Sequence, residues 1–361
     1  MVLKEDFELI KELTEIQGCS GNEKTIREFI KSIVENHCDS IETDFLGNLI
    51  CYIHGNAEKP EKKLRILLDA HMDEIGFIVR YIDKNGFIRF SPIGGQNIRI
   101  LPGQKVTIHS YLGKNIIGVI GEKPIHLLSL EERKKVNQLD ELFIDIGMSS
   151  AEEVNELITI GDYITLTQEC VILNNTKRIS AKSFDDRAGC FILIKLIQEF
   201  SKNHNKLDKD LIFLFSTQEE IGVRGATVGS YNVNPDIGIV VEVTHAIDFP
   251  GISKEKYYKC SLGSGASISV GPNIFSKLSK TLINIAKEKD IPYILEAEPR
   301  QAPNNARAIQ LSRNGIPSSV ISVPLRYMHT NIETLDYNDL INCKQLINEF
   351  LLKDLTDIMV N

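Results

Sequence analysis

Acidic and histidine residues collect where runs of apolar residues stop. Residues 65–70 lead into His71, Met72, Asp73 and Glu74, and residues 211–216 into Gln218, Glu219 and Glu220. Residues 237–241 end at Glu242, and residues 319–323 are followed by Arg326, Tyr327, Met328 and His329. A fifth segment, Ser183, Phe184, Asp185, Asp186 and Arg187, stands before an apolar helical stretch. Histidines and carboxylates without a thiolate suit a borderline divalent metal such as zinc, cobalt or manganese. Two histidines with three or four carboxylates are enough for two ions sharing one carboxylate. Such pairs, about 3.5–4 Å apart, polarise a carbonyl and generate hydroxide from water at neutral pH. A carboxylate not consumed by metal must then take the water proton, and the adjacent Glu219 and Glu220 offer one residue for each job. Taken singly, the same residues have plainer uses: strand-end carboxylates are usually solvated, Asp185-Asp186 suits a helix cap, and a lone histidine is usually hydrogen-bonded packing.

For these segments to meet, the strands must run parallel, with their carboxyl ends along one rim of an open sheet. The pattern agrees. Phe7, Ile10, Leu13 and Ile16 recur at helical spacing, and Ser20-Gly21-Asn22-Glu23 reads as a capping box before a second amphipathic helix. Residues 48–54 and 64–70 read as strands. From Met72 the texture becomes short glycine-punctuated strands: a hairpin over 76–90, then runs at 105–110, 115–122 and 163–167, with one helical stretch at 151–157. After about residue 171, helices (188–200, 276–289, 337–352) alternate with strands (210–216, 237–243, 318–324). The expectation is an α/β fold, a mainly parallel sheet covered on both faces, interrupted by a small inserted β barrel or sandwich.

The chain has 361 residues, 42 % hydrophobic and 25 % charged, ordinary values for a folded protein of two or more domains. Its 41 Lys+Arg against 49 Asp+Glu give a net charge of -8, which argues against nucleic acid or an anionic membrane as partner. No stretch approaches the roughly 18 apolar residues of a spanning helix. The first residues lack the build of a signal peptide, and a cytoplasmic location is expected. Seven scattered cysteines without a CxxC pair read as free buried thiols. Gly263-Ser264-Gly265 reads as a structural turn, since it lacks the lysine of a phosphate loop.

The motifs together resemble the tetrahedral aminopeptidases, metallopeptidase family 42, which includes glutamyl aminopeptidases and proteins once labelled cellulase M. The residues that carry the resemblance run almost the whole chain: His71-Met72-Asp73-Glu74-Ile75-Gly76; 123–128 with 143–147; 183–189; Gln218-Glu219-Glu220-Ile221-Gly222; 243–246; and 321–329. The resemblance implies a zinc-peptidase-like catalytic domain from residues 1–71 and 169–361, with residues 72–168 as an inserted β dimerisation domain. It implies two divalent ions per subunit, zinc or cobalt, with manganese also suited. His71 and Glu242 would hold one, Glu220 and His329 the other, with Asp185 bridging. Glu219 would be the general base and Asp73 the carboxylate that fixes the His71 tautomer. It further implies release of N-terminal residues from short peptides by a homo-oligomer, dimers assembling into a tetrahedral dodecamer.

Two departures from the family stand out. Glu242 replaces a frequent Asp, and Asn304-Asn305-Ala306 stands where Gly-Thr-Asp-Ala is common, which bears on substrate preference. An acidic N-terminal side chain is not expected as the favoured substrate: the site gathers carboxylates, and Arg300, Arg307 and Arg326 are the only nearby cations that could receive one. Rival readings are an aminoacylase-like amide hydrolase with the same metals and a non-catalytic scaffold that kept the fold. Glycoside hydrolysis fits poorly, because it needs two carboxylates free of metal.

Overall fold

The computed structural model describes residues 2–55, 63–203, 207–253 and 259–358. Helices α1 (Lys4–Glu15) and α2 (Lys24–Val34) bury residues at helical spacing, Ile10 with Leu13, and Ile26 with Ile30 and Val34. Strands β1 (Ser40–Thr43), β2 (Leu49–Ile53) and β3 (Arg65–His71) follow. Six strands then close into a barrel: β4 (Gly76–Ile82), β5 (Ile88–Ile93), β6 (Lys105–His109), β7 (Asn115–Gly121), β8 (Phe143–Asp145) and β9 (Tyr163–Leu166), with helix α3 (Ala151–Asn155) between the last two. Its core is its own, built on Phe77, Phe90, Val106, Ile108, Ile144 and Ile164. The insert is therefore a barrel, the first of the two alternatives expected.

The chain returns through β10 (Val171–Ile172), β11 (Arg178–Ala181), α4 (Phe184–Asn203), β12 (Asp210–Ser216), α5 (Arg224–Val233) and β13 (Ile237–His245). It ends with β14 (Ala266–Val270), α6 (Ser276–Glu288), β15 (Tyr293–Ala297), α7 (Ala306–Ile309), β16 (Ser318–Arg326), β17 (Glu333–Asp336) and α8 (Tyr337–Leu352). The large sheet has the order β1-β2-β12-β3-β13-β16-β17-β11-β10, with β14 beside β16 and β15 beside β14. The sheet is mixed, which corrects the expectation of a mainly parallel one. Its centre, β12-β3-β13-β16, is parallel, whereas β2, β14, β17, β11 and β10 pair antiparallel. Apart from β2, which the sequence shows at 48–54, the flanking strands are short or serine-rich and carry little hydrophobic pattern, so sequence periodicity passes over them.

The central strands are mostly apolar because both faces are covered. Ile66, Leu68, Phe213 and Ile239 face the core under α1, α2, α4 and α8, while Leu67, Ile212, Leu214 and Val240 face α5 and α7. All seven cysteines are free, and only Cys38 is not fully buried. Among the described residues no helix is long and apolar enough to cross a membrane.

Candidate metal centre

The parallel register brings the chemistry together. Ser216 of β12 pairs with His71 of β3, and β3 pairs with β13 from Ile66↔Ile237 to Asp69↔Val240. Continuing that register sets Glu242 level with His71. Glu219 and Glu220 lie just past the end of β12, and His329 just past β16. Asp185 arrives from the start of α4, where the backbone of Asp185 and Asp186 is not yet helical and their peptide bond is cis.

Asp185 lies between the two histidines: its Oδ1 is 3.0 Å from His71 Nε2 and its Oδ2 is 3.2 Å from His329 Nε2. Glu242 Oε1 is 3.9 Å from His71 Nε2, and Glu220 Oε1 is 3.3 Å from His329 Nε2. Three overlapping groups have donor atoms close enough to share a cation: His71, Asp185 and Glu242; Asp185, Glu220 and His329; and His71, Glu219 and Glu220. The two groups that contain Asp185 use each of the other four residues once and leave Glu219 over.

Both histidines are held in one tautomer by backbone carbonyls. His71 Nδ1 is 3.1 Å from the Asp73 carbonyl oxygen, and His329 Nδ1 is 2.8 Å from that of Gly95. A carbonyl only accepts, so each Nδ1 carries a proton and each Nε2 is the ring nitrogen turned to the site. Gly95 belongs to the barrel's β5–β6 connection, so the insert supplies one wall of the centre. A side chain there would begin 3.0 Å from His329 Nδ1.

Asp73 does more than face His71, whose Nδ1 lies 3.4 Å from its Oδ1. Its carboxylate accepts the backbone N–H groups of Glu219 and Glu220 at 2.9 and 3.2 Å, fixing the turn that carries both. It also accepts from Ser20 Oγ at 2.5 Å. That bond explains why the expected capping box is not made: α2 starts at Lys24, and its cap residue Glu23 makes no side-chain cap. Glu23 instead accepts from the Gln218 and Gly21 amides, and burial, with Asp73 nearby, pushes its carboxyl up to about 7. Both polar members of the motif serve the site rather than the helix.

The adjacent Asp185 and Asp186 divide their work. Asp186 accepts the Gly189 N–H at 3.0 Å, the cap reading, while Asp185 faces the histidines. A Cβ on Gly189 would stand 2.3 Å from the Asp186 carboxylate, so only glycine fits that turn of α4. Glu333 was not legible as a site residue. Its buried carboxylate accepts the His329 N–H at 2.8 Å and the Asp185 N–H at 3.1 Å, tying the two together. Its place in a short, non-alternating strand gives no sequence signal.

Burial pushes the Glu219 carboxyl up to about 8, helped by Glu220, Asp185 and Asp73 against the opposing pull of His71. Burial raises Glu220 and Glu242 as well. A cavity of about 400 Å³ opens over the group, lined also by His245, Glu296, Glu298 and Asn304. Asn305 is not part of it. Fully buried, it donates from Nδ2 to Asp69 Oδ2 at 2.7 Å and to Ser216 Oγ at 2.9 Å. Of the two asparagines that depart from the family pattern, only Asn304 faces the cavity. The Gly263–Gly265 segment is a turn whose amides both donate to Asp339 at 2.7 Å, leaving no phosphate cradle.

The family model described as M42 glutamyl aminopeptidase matches residues 47–346. Over 358 residues, 96 % of each protein, the chain is 34 % identical to the lysyl aminopeptidase of Pyrococcus furiosus. An aminopeptidase structure from the archaeon Desulfurococcus kamchatkensis superposes with a TM-score of 0.90 at 34 % identity, over 99 % of this chain and 97 % of that one. The Pyrococcus horikoshii TET1 peptidase, which can assemble into a tetrahedron or a large octahedral shell, gives a TM-score of 0.84 at 31 % identity, over 96 % and 99 % of the two chains.

Proposed function

Since the chain belongs to the M42 glutamyl aminopeptidase family and is a metal-dependent aminopeptidase, we propose that it releases N-terminal residues from short peptides with two divalent ions. His71 and Glu242 hold one ion, Glu220 and His329 the other, and Asp185 bridges. The observation that carries this is the placement of the Asp185 carboxylate, one oxygen toward each histidine at 3.0 and 3.2 Å. The donors fit: two imidazole lone pairs and three carboxylates, without sulfur, suit zinc, cobalt or manganese. Bound there, such ions polarise the scissile carbonyl and lower the pKa of water.

The chain's own part centres on Glu219. Its backbone is pinned by Asp73 at 2.9 Å, and its carboxylate is left over by the two groups that share Asp185. It takes the proton of the attacking water on a carboxylate oxygen and passes it to the leaving amine nitrogen. Glu333 keeps Asp185 and His329 in register through their amides.

Titrating metal-stripped protein with zinc or cobalt by calorimetry is expected to reach about two ions per chain, with activity following the occupied pair. Saturation at one ion with full activity would overturn the two-ion assignment.

The barrel, within residues 72–168, is the proposed dimer contact. It leaves large apolar side chains in solvent, among them Tyr111 at 70 %, Leu127 at 67 % and Leu130 at 76 % exposure. Such patches mark protein interfaces. Dimers joined there would build a dodecameric shell in the cytoplasm, admitting short peptides and excluding folded proteins. Light scattering of the intact chain should then give a particle many times its 40.6 kDa, and Leu127→Lys with Leu130→Lys should yield smaller species. An active, monodisperse monomer would refute the shell.

A further inference from the structure

The cavity carries more negative charge than the proposed ions can use. Six carboxylates line it: Asp185, Glu219, Glu220 and Glu242 of the centre, and Glu296 and Glu298 outside it. Two divalent ions offset the first four. Neither Glu296 nor Glu298 belongs to any of the groups able to share a cation with the histidines. Both sit at alternate positions from β15 onward, so their side chains leave the same face of the strand.

Glu296 is fixed rather than waving in solvent. Its Oε1 accepts from Thr244 Oγ1 at 2.8 Å and its Oε2 from Ser267 Oγ at 3.0 Å, hydroxyls on β13 and β14. Neutral donors orient a carboxylate without cancelling its charge. Glu298 is half-buried beside it, and burial together with the Glu296 charge raises its carboxyl. Among the described residues no Lys or Arg lines the cavity. Arg326, the nearest candidate by sequence, is held in a fork by Asp248, with Nε to Oδ1 at 2.7 Å. Arg300 and Arg307 are not among the lining residues either. Val243, Met328 and Pro303 add apolar wall to the same cavity. A methylene stem ending in a cation suits a cavity that offers both kinds of surface.

We infer that Glu296 and Glu298 form a subsite for a basic N-terminal side chain, so that peptides beginning with lysine or arginine are the favoured substrates. This rests on the reading of the neighbouring centre as the peptidase site. The acids select by charge: a lysyl or arginyl side chain meets a carboxylate pair in a partly desolvated wall, an acidic one meets like charge, and an aliphatic one leaves the pair with water.

The test uses the full-length, metal-loaded protein with lysyl, arginyl, leucyl and glutamyl p-nitroanilides. The wild type should show kcat/KM for lysyl about tenfold or more above leucyl, with glutamyl lowest. In Glu298→Gln combined with Glu296→Gln, the lysyl-to-leucyl ratio should fall about tenfold. In Glu298→Lys the glutamyl-to-leucyl ratio should rise. A wild type that prefers glutamyl or leucyl substrates, or a lysyl-to-leucyl ratio untouched by the double substitution, would overturn the inference. Either result leaves the peptidase reading standing. Failure of the metal-loaded wild type to cleave any of the four would overturn that reading and the subsite with it.

Discussion

Glu219→Gln is expected to lower kcat about a hundred- to ten-thousand-fold while the protein still binds its ions. Glutamine keeps the size of the side chain and removes only the proton acceptor. Because the Glu219 amide is tied to Asp73 through the backbone, the turn that carries the residue survives the change. Metal content and kcat should be measured on the same sample, so that lost chemistry is separated from lost metal. Near wild-type turnover in the loaded variant would place the base elsewhere. The neighbouring Glu220→Gln should fail differently: its carboxylate faces His329 at 3.3 Å, so metal should wash out more readily, and excess metal should recover part of the rate.

The second large effect is on stability. Asn305→Asp should cost about 3–5 kcal/mol of folding free energy, since it sets a second carboxylate against Asp69 in a fully buried site. At present the Asn305 amide donates to both Asp69 and Ser216, which an acid in its place cannot do while ionised. Adding Asp69→Asn reverses the pair and should restore most of the loss, a coupling that a double-mutant cycle in urea would read directly. A single variant with an unchanged midpoint would show that the pair does not hold Asn305 in place.

Most residues of the centre were legible because they stand just past largely apolar runs, Asp185 being the exception at the start of α4. Buried parallel strands make such runs, and their carboxyl ends must share a rim. That logic reaches His71, Glu219, Glu220, Glu242 and His329. It does not reach Glu333 or Ser20, whose contributions are single bonds made across the fold, from a short edge strand and from a turn. Ser20-Gly21-Asn22-Glu23 shows the limit well. The local pattern of a capping box is present, yet both polar side chains bond to the metal-site loops, because a tertiary partner in a dry site outweighs a local one at the surface. The flanking strands β10, β11 and β17 were missed for a related reason: with two to four residues each, they take their pairing from the sheet rather than from their own pattern.

The bond from His329 to the Gly95 carbonyl makes the barrel a part of the centre. A histidine that owes its tautomer to a loop of the insert loses its orientation if that loop is cut away, so the insert cannot be excised as a module and leave a working monomer behind. Any movement of the Gly95 loop reaches the centre through the ring of His329.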